Sequence, residues 1–315
     1  MPLAHTDVFA DTKIGDMSYL QYIEWHEHES DMNEPVYHHY VSAGYLRGFA
    51  KSGKHYVIHC IDLDAKKGFP QNVKKVAGED HFNRLDGHPD PNILETTYAN
   101  ELEGPSLGAL KRVLECGNFS NAVDREAVLL LFSLFAARNP RDRQSLAESI
   151  QPLNQILIIS ALGQEGLKSP WAAAALEMNT SKHASLELNV IGGIHQCLLD
   201  RKWIFLKAGE NSPGFVTSDY PVNLIPHPYR IDDGWGLGFA LKDVSVFIPL
   251  NKNLAVIGDY EATERIISLD REAVAALNSS TIRNATRQIY AYSDEFEFIG
   301  PGNKMLNGKE LPKVL

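Results

Sequence analysis

Histidine is the residue whose distribution first points to chemistry. Nine of the twelve histidines, His5, His26, His28, His38, His39, His55, His59, His81 and His88, fall in the first 88 residues. Imidazole titrates near neutrality and is a common metal ligand. A helix starting after Pro35 and running over Val36–Ala50 would place His39, Ala43 and Arg47 at i, i+4 and i+8 on one face. Glu95, Ala99 and Glu103 repeat that spacing on a later helix, and Glu79 stands two residues before His81. One imidazole with two or three carboxylates would hold Mg²⁺ or Mn²⁺, with Zn²⁺ as a further option. The expected metal ligands are therefore His39, Glu79, Glu95 and Glu103. A metal beside Arg47 suits phosphodiester hydrolysis: the ion generates hydroxide and the guanidinium stabilises charge on the phosphoryl oxygens.

Two further groups extend this set. Ser218-Asp219 lies at a strand end before a proline-containing turn, where Asp219 would act as ligand, general base or N–H acceptor. Asp219, Arg47 and Ser218 form the expected catalytic group. Arg138, Arg141 and Arg143 gather after an apolar helix, and arginine is suited to bidentate recognition of phosphate. Arg138 and Arg141, with the aromatic Tyr45, are the expected substrate contacts.

Each of these residues also has a structural reading. Glu95 is at the N3 position of an Asn92-Ile93-Leu94-Glu95 capping box. Glu103 fits a solvated helix end. Arg47 fits an ion pair across a helix interface, and the Arg138 group a helix C-terminus. Asp219 fits an Asx turn. His38 and His39 are adjacent, so at most one faces a site. His26-Glu27-His28-Glu29 reads as a solvated acidic segment, and His55 and His59 as structural.

Composition narrows the setting. The chain has 315 residues, is 44% hydrophobic and 22% charged, and carries a net charge of −10. Non-specific coating of nucleic acid, which exchanges Lys and Arg for phosphate counterions, is excluded. RNA or DNA as substrate requires a local basic groove. Cys60, Cys116 and Cys197 form no C-x-x-C pattern, which argues against thiolate zinc and disulfides and fits the cytoplasm. The longest apolar run, Ala127–Ala137, is too short to span a bilayer. Met1–Asp16 lacks a secretory pattern.

The elements that must position these residues fall in three stretches. Residues 1–91 are mixed, with a hairpin of Tyr56–Leu63 and Asn72–Ala77 around Lys66-Lys67-Gly68. Residues 92–200 are helical: from Asn92 to about Glu103, from Asp124 to about Arg138, then about Arg141–Leu162, Trp171–Met178 and His183–Leu199. Residues 201–315 are mostly β, with strands at Trp203–Lys207, Gly214–Thr217, Leu237–Leu241, Val244–Pro249, Leu254–Gly258 and Gln288–Tyr292. Asp270 caps a helix over Arg271–Asn284, and a polar tail ends the chain. The expected fold is a single α+β domain over 1–315. A helical lobe is inserted between an N-terminal β-hairpin segment and a C-terminal antiparallel β segment.

Four segments carry a family resemblance. They are His39-Tyr40-Val41 with Tyr45-Leu46-Arg47-Gly48-Phe49, Leu94-Glu95 with Leu102-Glu103, Arg138-Asn139-Pro140-Arg141, and Thr217-Ser218-Asp219-Tyr220-Pro221-Val222. In this order they resemble domain-of-unknown-function family 4238 over about residues 37–292. Phe247-Ile248-Pro249-Leu250 and the Asn278, Ala285, Tyr290 run fit too. Ser42-Ala43-Gly44, Gly48 and Tyr220 depart from the family pattern. The resemblance implies a shared fold and no activity.

The residues support two functions from different classes. One is a metal-dependent phosphodiester hydrolase, nuclease-like, of the kind a defence or toxin effector uses. The other is a non-catalytic protein that binds a ligand or partner, with Tyr45, Trp203, Tyr220 and Trp235 as its aromatic contacts. Oligomeric state is open.

Overall fold

A computed structural model of the chain describes residues 13–14, 17–18, 36–85, 88–141, 152, 155–160, 163–169, 180–231, 234 and 236–315, with the side chains of 180–185 left aside. Arg143, Trp235, the His26–Glu29 segment, Trp171–Met178 and most of the Arg141–Leu162 helix lie outside these residues. Two short strands, β1 (Lys13–Ile14) and β2 (Met17–Ser18), pair with each other.

The first departure from the sequence reading decides the position of His39. The segment expected to be helical from Val36 begins as a strand, β3 (Tyr37–His39). An aromatic and histidine run favours extended backbone. The helix starts only at α1 (Ala43–Leu46), where Ser42 accepts from the Gly44 N–H, and tightens into a 3₁₀ turn over Arg47–Phe49. His39 and Arg47 therefore do not share a helix face.

The hairpin is real but shifted. Strands β4 (Val57–Asp62) and β5 (Lys67–Asn72) pair around a turn at residues 63–66, so Lys67-Gly68 open the return strand. Asn72 then caps a 3₁₀ turn, and β6 (Gly78–Asp80) pairs antiparallel with β3. The register sets Glu79 opposite His38.

The helical lobe begins with α2 (Ile93–Thr97), which widens into a π-helical stretch over Tyr98–Glu103 and resumes as α3 (Gly104–Cys116). Pro105 explains the widening. It has no N–H for the Glu101 carbonyl, and its ring would clash with it in an α-helix. The Gly104 N–H instead donates to Ala99 O, five residues back. Helix α4 (Ala122–Ala137), capped by the Asn121 side chain, is buried on nearly every side from Val128 onward and packs between α3 and α5 (Thr180–Leu199). Leu131, Phe132, Leu134 and Phe135 make it the centre of the main core.

Two sheets flank this core. One has the order β12-β7-β11-β10-β9, from β7 (Lys202–Ala208), β9 (Asn223–Pro226), β10 (Val244–Asn251), β11 (Leu254–Asp259) and β12 (Arg265–Leu269). It is antiparallel except for β12, which runs parallel to β7. The other has the order β5-β4-β13-β8, with β8 (Thr217–Ser218) and β13 (Gln288–Ala291), and so joins the N-terminal hairpin to the C-terminal part of the chain. This pairing brackets the helical lobe in sequence and confirms the α+β class. The expected strand at Leu237–Leu241 is not formed. The buried Arg201 guanidinium takes the Phe239 and Leu241 carbonyls, so they need no ladder partner. Helix α6 (Arg271–Asn284) starts at its Asp270 cap as expected.

The tail is folded rather than free. Strands β14 (Glu297–Ile299) and β15 (Met305–Asn307) form a hairpin, followed by α7 (Leu311–Val314). Phe296, Phe298 and Leu311 pack in a second core with Val216, Ile289 and Ala291. No described helix is long and apolar enough to cross a membrane.

Candidate functional site

The π-helical stretch changes which way Glu103 points. Eight residues of α-helix would turn it about 80° away from Glu95. The wider π turn rotates less per residue and carries Glu103 back toward the same side. Both carboxylates act on His39, which also lies close to Arg138. Arg138 is fully buried just beyond the end of α4, and one Nη donates to Glu103. Its guanidinium also lies 4.9 Å from the centre of the Tyr98 ring. Burial alone would make Arg138 easier to deprotonate; Glu103 and then Glu95 outweigh it and hold the charge. The capping box does not form: Asn92 makes no side-chain cap bond. Glu95 instead accepts from Asn83 Nδ2 at 2.7 Å, while the Asn83 N–H donates to His38 Nδ1 at 2.9 Å. Consecutive side chains of β3 point to opposite faces, so His39 faces the carboxylates while His38 reaches Glu95 through Asn83.

His39 is the chemically poised member. Burial lowers its pKa below the ordinary imidazole value, opposed by Glu95 and Glu103. The ring bonds the Lys74 backbone, an interaction that raises the pKa, so the ring is the donor. Its Nε2 is buried and has no hydrogen-bond partner. A neutral ring that donates through Nδ1 keeps a lone pair on Nε2. Arg138 Nε and Nη1 are likewise buried without partners. Unsatisfied buried polar atoms are uncommon in folded proteins and call for an explanation.

A cleft of about 290 Å³ adjoins this cluster. Tyr37, whose ring meets His39 edge-on at 5.2 Å, lines it together with Tyr40, Lys75, Glu79, Asn139 and Asp219. The Arg138-Asn139-Pro140-Arg141 segment connects the two regions. Arg138 turns into the carboxylate cluster, Asn139 donates to the Asp219 carbonyl at 3.0 Å, and Arg141 lies over the Tyr220 ring at 4.7 Å.

Several expected site residues have other partners. The Asp219 carboxylate accepts the backbone N–H groups of Thr286, Arg287 and Gln288 at 2.9, 2.7 and 3.0 Å. Burial pushes its pKa up, against those bonds and Arg141. Three of its lone pairs are thus committed to fixing the entry to β13. Ser218 is buried, donates to Tyr220 O and accepts from Tyr220 N, which closes a turn. Tyr45 lies in the core among Phe49, Phe132 and Phe135. Its hydroxyl donates to Pro249 O and bonds Thr217 Oγ1, joining α1 to both sheets. Arg47 is exposed, 5.1 Å from the Tyr56 ring, and belongs to a different surface. Glu79 is exposed and lines the cleft, not the His39 cluster. Among the described residues no group of three His, Cys, Asp or Glu side chains is arranged to hold a metal ion.

These residues span nearly the whole length over which a single family model matches. That model, for a protein of unknown function (DUF4238), covers residues 37–295. The chain belongs to the DUF4238 family. No curated protein and no solved structure matches it. Every residue of the His39 cluster and of the cleft falls inside the DUF4238 match. Sequence reasoning missed Asn83, Tyr37, Tyr40 and Asn139 as parts of the site. Tyr40 and Asn139 carried a signal, inside the His39-Tyr40-Val41 and Arg138–Arg141 motifs; Tyr37 enters through the β3–β6 register and Asn83 through the turn after β6.

Proposed function

We propose that this DUF4238 chain is a phosphodiester hydrolase, nuclease-like, in which His39 accepts the proton of the attacking water or hydroxyl. The observation that carries the reading is the unpartnered Nε2 of His39, at the meeting point of segments far apart in sequence. A neutral imidazole with a free lone pair is suited to general-base catalysis near pH 7. The Lys74 backbone orients the ring. Glu95 and Glu103 stabilise the imidazolium once the proton arrives, and Arg138 holds Glu103 in place. Lys75 at the cleft supplies positive charge for a phosphate in an otherwise acidic protein, while Arg287 beside it pairs with Asp62. The three free cysteines support a reducing compartment such as the cytoplasm.

The test is incubation of purified, untagged protein with RNA and DNA, with and without Mg²⁺ or Mn²⁺, beside His39→Ala and Glu95→Gln. Cleavage lost in both folded variants supports the reading, and the cation arms show whether a metal takes part. Cleavage that survives His39→Ala overturns it. A second reading, a non-catalytic protein that binds a phosphate-bearing ligand in the cleft, draws support from the committed Asp219 carboxylate and the sealed Ser218 hydroxyl. Ligand binding with no turnover under any cation would favour it.

A further inference from the structure

The exposed side chains around the start of β4 and the end of β13 form a surface separate from the cleft. Tyr292 follows β13 and is 39% exposed; Tyr56 precedes β4 and is 38% exposed. The Lys51 and Lys252 ammonium groups lie 5.6 and 4.8 Å from the centre of the same Tyr292 ring. Arg47 covers the Tyr56 ring. The backbone holds these groups together. Lys51 and Val57 exchange N–H···O bonds of 2.8 and 3.1 Å, and the Lys252 N–H donates to Gly48 O at 3.1 Å. Lys51, Lys252 and Tyr292, from three separate chain segments, thus share one patch, and the Arg47–Tyr56 pair adjoins it through the Lys51–Val57 bridge.

The three cations of the patch are not offset by acids in contact with them. Among the described residues none of Arg47, Lys51 and Lys252 takes part in an ion pair. The nearby acids Asp294 and Glu295 pair with Lys309. Two ammonium groups held against one ring repel each other, and an anion shared between them relieves that repulsion. Exposed aromatic faces interleaved with cations are the features by which single-stranded nucleic acid is held: bases stack on the rings and phosphates meet the cations. Strand β13 runs from Gln288 at the cleft to the residue before Tyr292 at the patch. Gln288 and Tyr292 are four residues apart, about 13 Å at the rise of a β-strand.

We propose that Arg47, Lys51, Lys252, Tyr56 and Tyr292 form a docking surface for single-stranded nucleic acid. The proposal deepens the phosphodiester reading and rests on it for the fate of the bound strand. Binding itself does not depend on cleavage, so the two can be separated.

The experiment is fluorescence anisotropy with labelled single-stranded RNA and DNA oligonucleotides and a matched duplex, in EDTA across a salt series. The parent chain is compared with Lys51→Glu/Lys252→Glu, Tyr292→Ala and, as a control at an exposed lysine of α3, Lys111→Glu. The expected result is tighter binding of single strands than of duplex, and a loss of about tenfold or more for Tyr292→Ala. The double lysine variant should lose about 1.4 from the slope of log K against log salt, from two phosphate contacts at about 0.7 each. Lys111→Glu should bind as the parent does. Unchanged binding in the double lysine and Tyr292 variants, or no binding by the parent at low salt, overturns the surface. Binding lost in those variants without any cleavage by the parent upholds the surface and removes the hydrolase reading instead.

Discussion

The pairing of Arg138 with Glu103 should respond unequally to removal of its two members. Arg138 is fully buried, whereas the Glu103 side chain retains 14% of its exposure. Glu103→Gln leaves a buried guanidinium without its direct partner. Breaking a buried pair in this way costs about 3–5 kcal/mol, and the Glu95 charge offsets part of it, so about 3 kcal/mol is expected. Arg138→Met is milder. It leaves a partly solvated carboxylate and removes two buried N–H groups, Nε and Nη1, that already lack partners. Each such group costs about 1–3 kcal/mol, so the net loss should be about 1–2 kcal/mol. The double variant Arg138→Met/Glu103→Gln should be no less stable than Arg138→Met, giving a coupling of at least about 3 kcal/mol. Urea unfolding followed by two probes, with m-values compared, measures all four corners of the cycle. A loss below about 1 kcal/mol for Glu103→Gln, or strictly additive single variants, would refute the reasoning.

Other outcomes follow from the same site. His39 has a folded pKa below its unfolded value, so its protonation favours the unfolded chain. Its stabilising contribution is complete above the unfolded value and declines as pH falls below it, with a slope of at most about 1.4 kcal/mol per pH unit. His39→Gln should therefore lose less stability than the parent between about pH 7.5 and 5.5, a window around the ordinary imidazole value; parallel pH curves would show the ring is not held neutral by folding. Asp219→Asn should cost about 1–3 kcal/mol, since an amide nitrogen must face one of three backbone N–H donors. Greater stability of the Asp219→Asn variant in thermal melts would mean that the burial cost of the carboxylate exceeds those bonds. Gly78→Ala would set a Cβ 2.5 Å from His38 O and 2.7 Å from the Tyr37 ring, forcing β3 aside. A loss of about 1–3 kcal/mol and a shifted His39 environment are expected, read from unfolding and from histidine NMR chemical shifts.

Local signals alone were enough for several parts of the molecule. The Asp270 cap and the helix Arg271–Asn284 were legible because cap chemistry and helix period lie within adjacent residues. The buried helix ending at Arg138 was legible from its apolar run, and the α+β class from the order of helical and strand-like segments. The motifs named the right neighbourhood: His39, Glu95, Glu103 and Arg138 do meet. Their geometry was not in the sequence. The period that placed His39 beside Arg47 fails because β3 finds a partner in β6, more than thirty residues away, and pairing outweighs local helix propensity. The α spacing of Glu95 and Glu103 would by itself leave them about 80° apart; they share a side because Pro105 widens the turn between them.

Burial made the remaining choices. Tyr45, Ser218 and Asp219 carry the atoms that chemistry needs, yet the fold commits those atoms to Pro249, Tyr220 and the entry of β13. Residue type fixes what a side chain can do. Only the tertiary structure decides which lone pairs and protons are left unshared, because that depends on donors and acceptors supplied by distant segments.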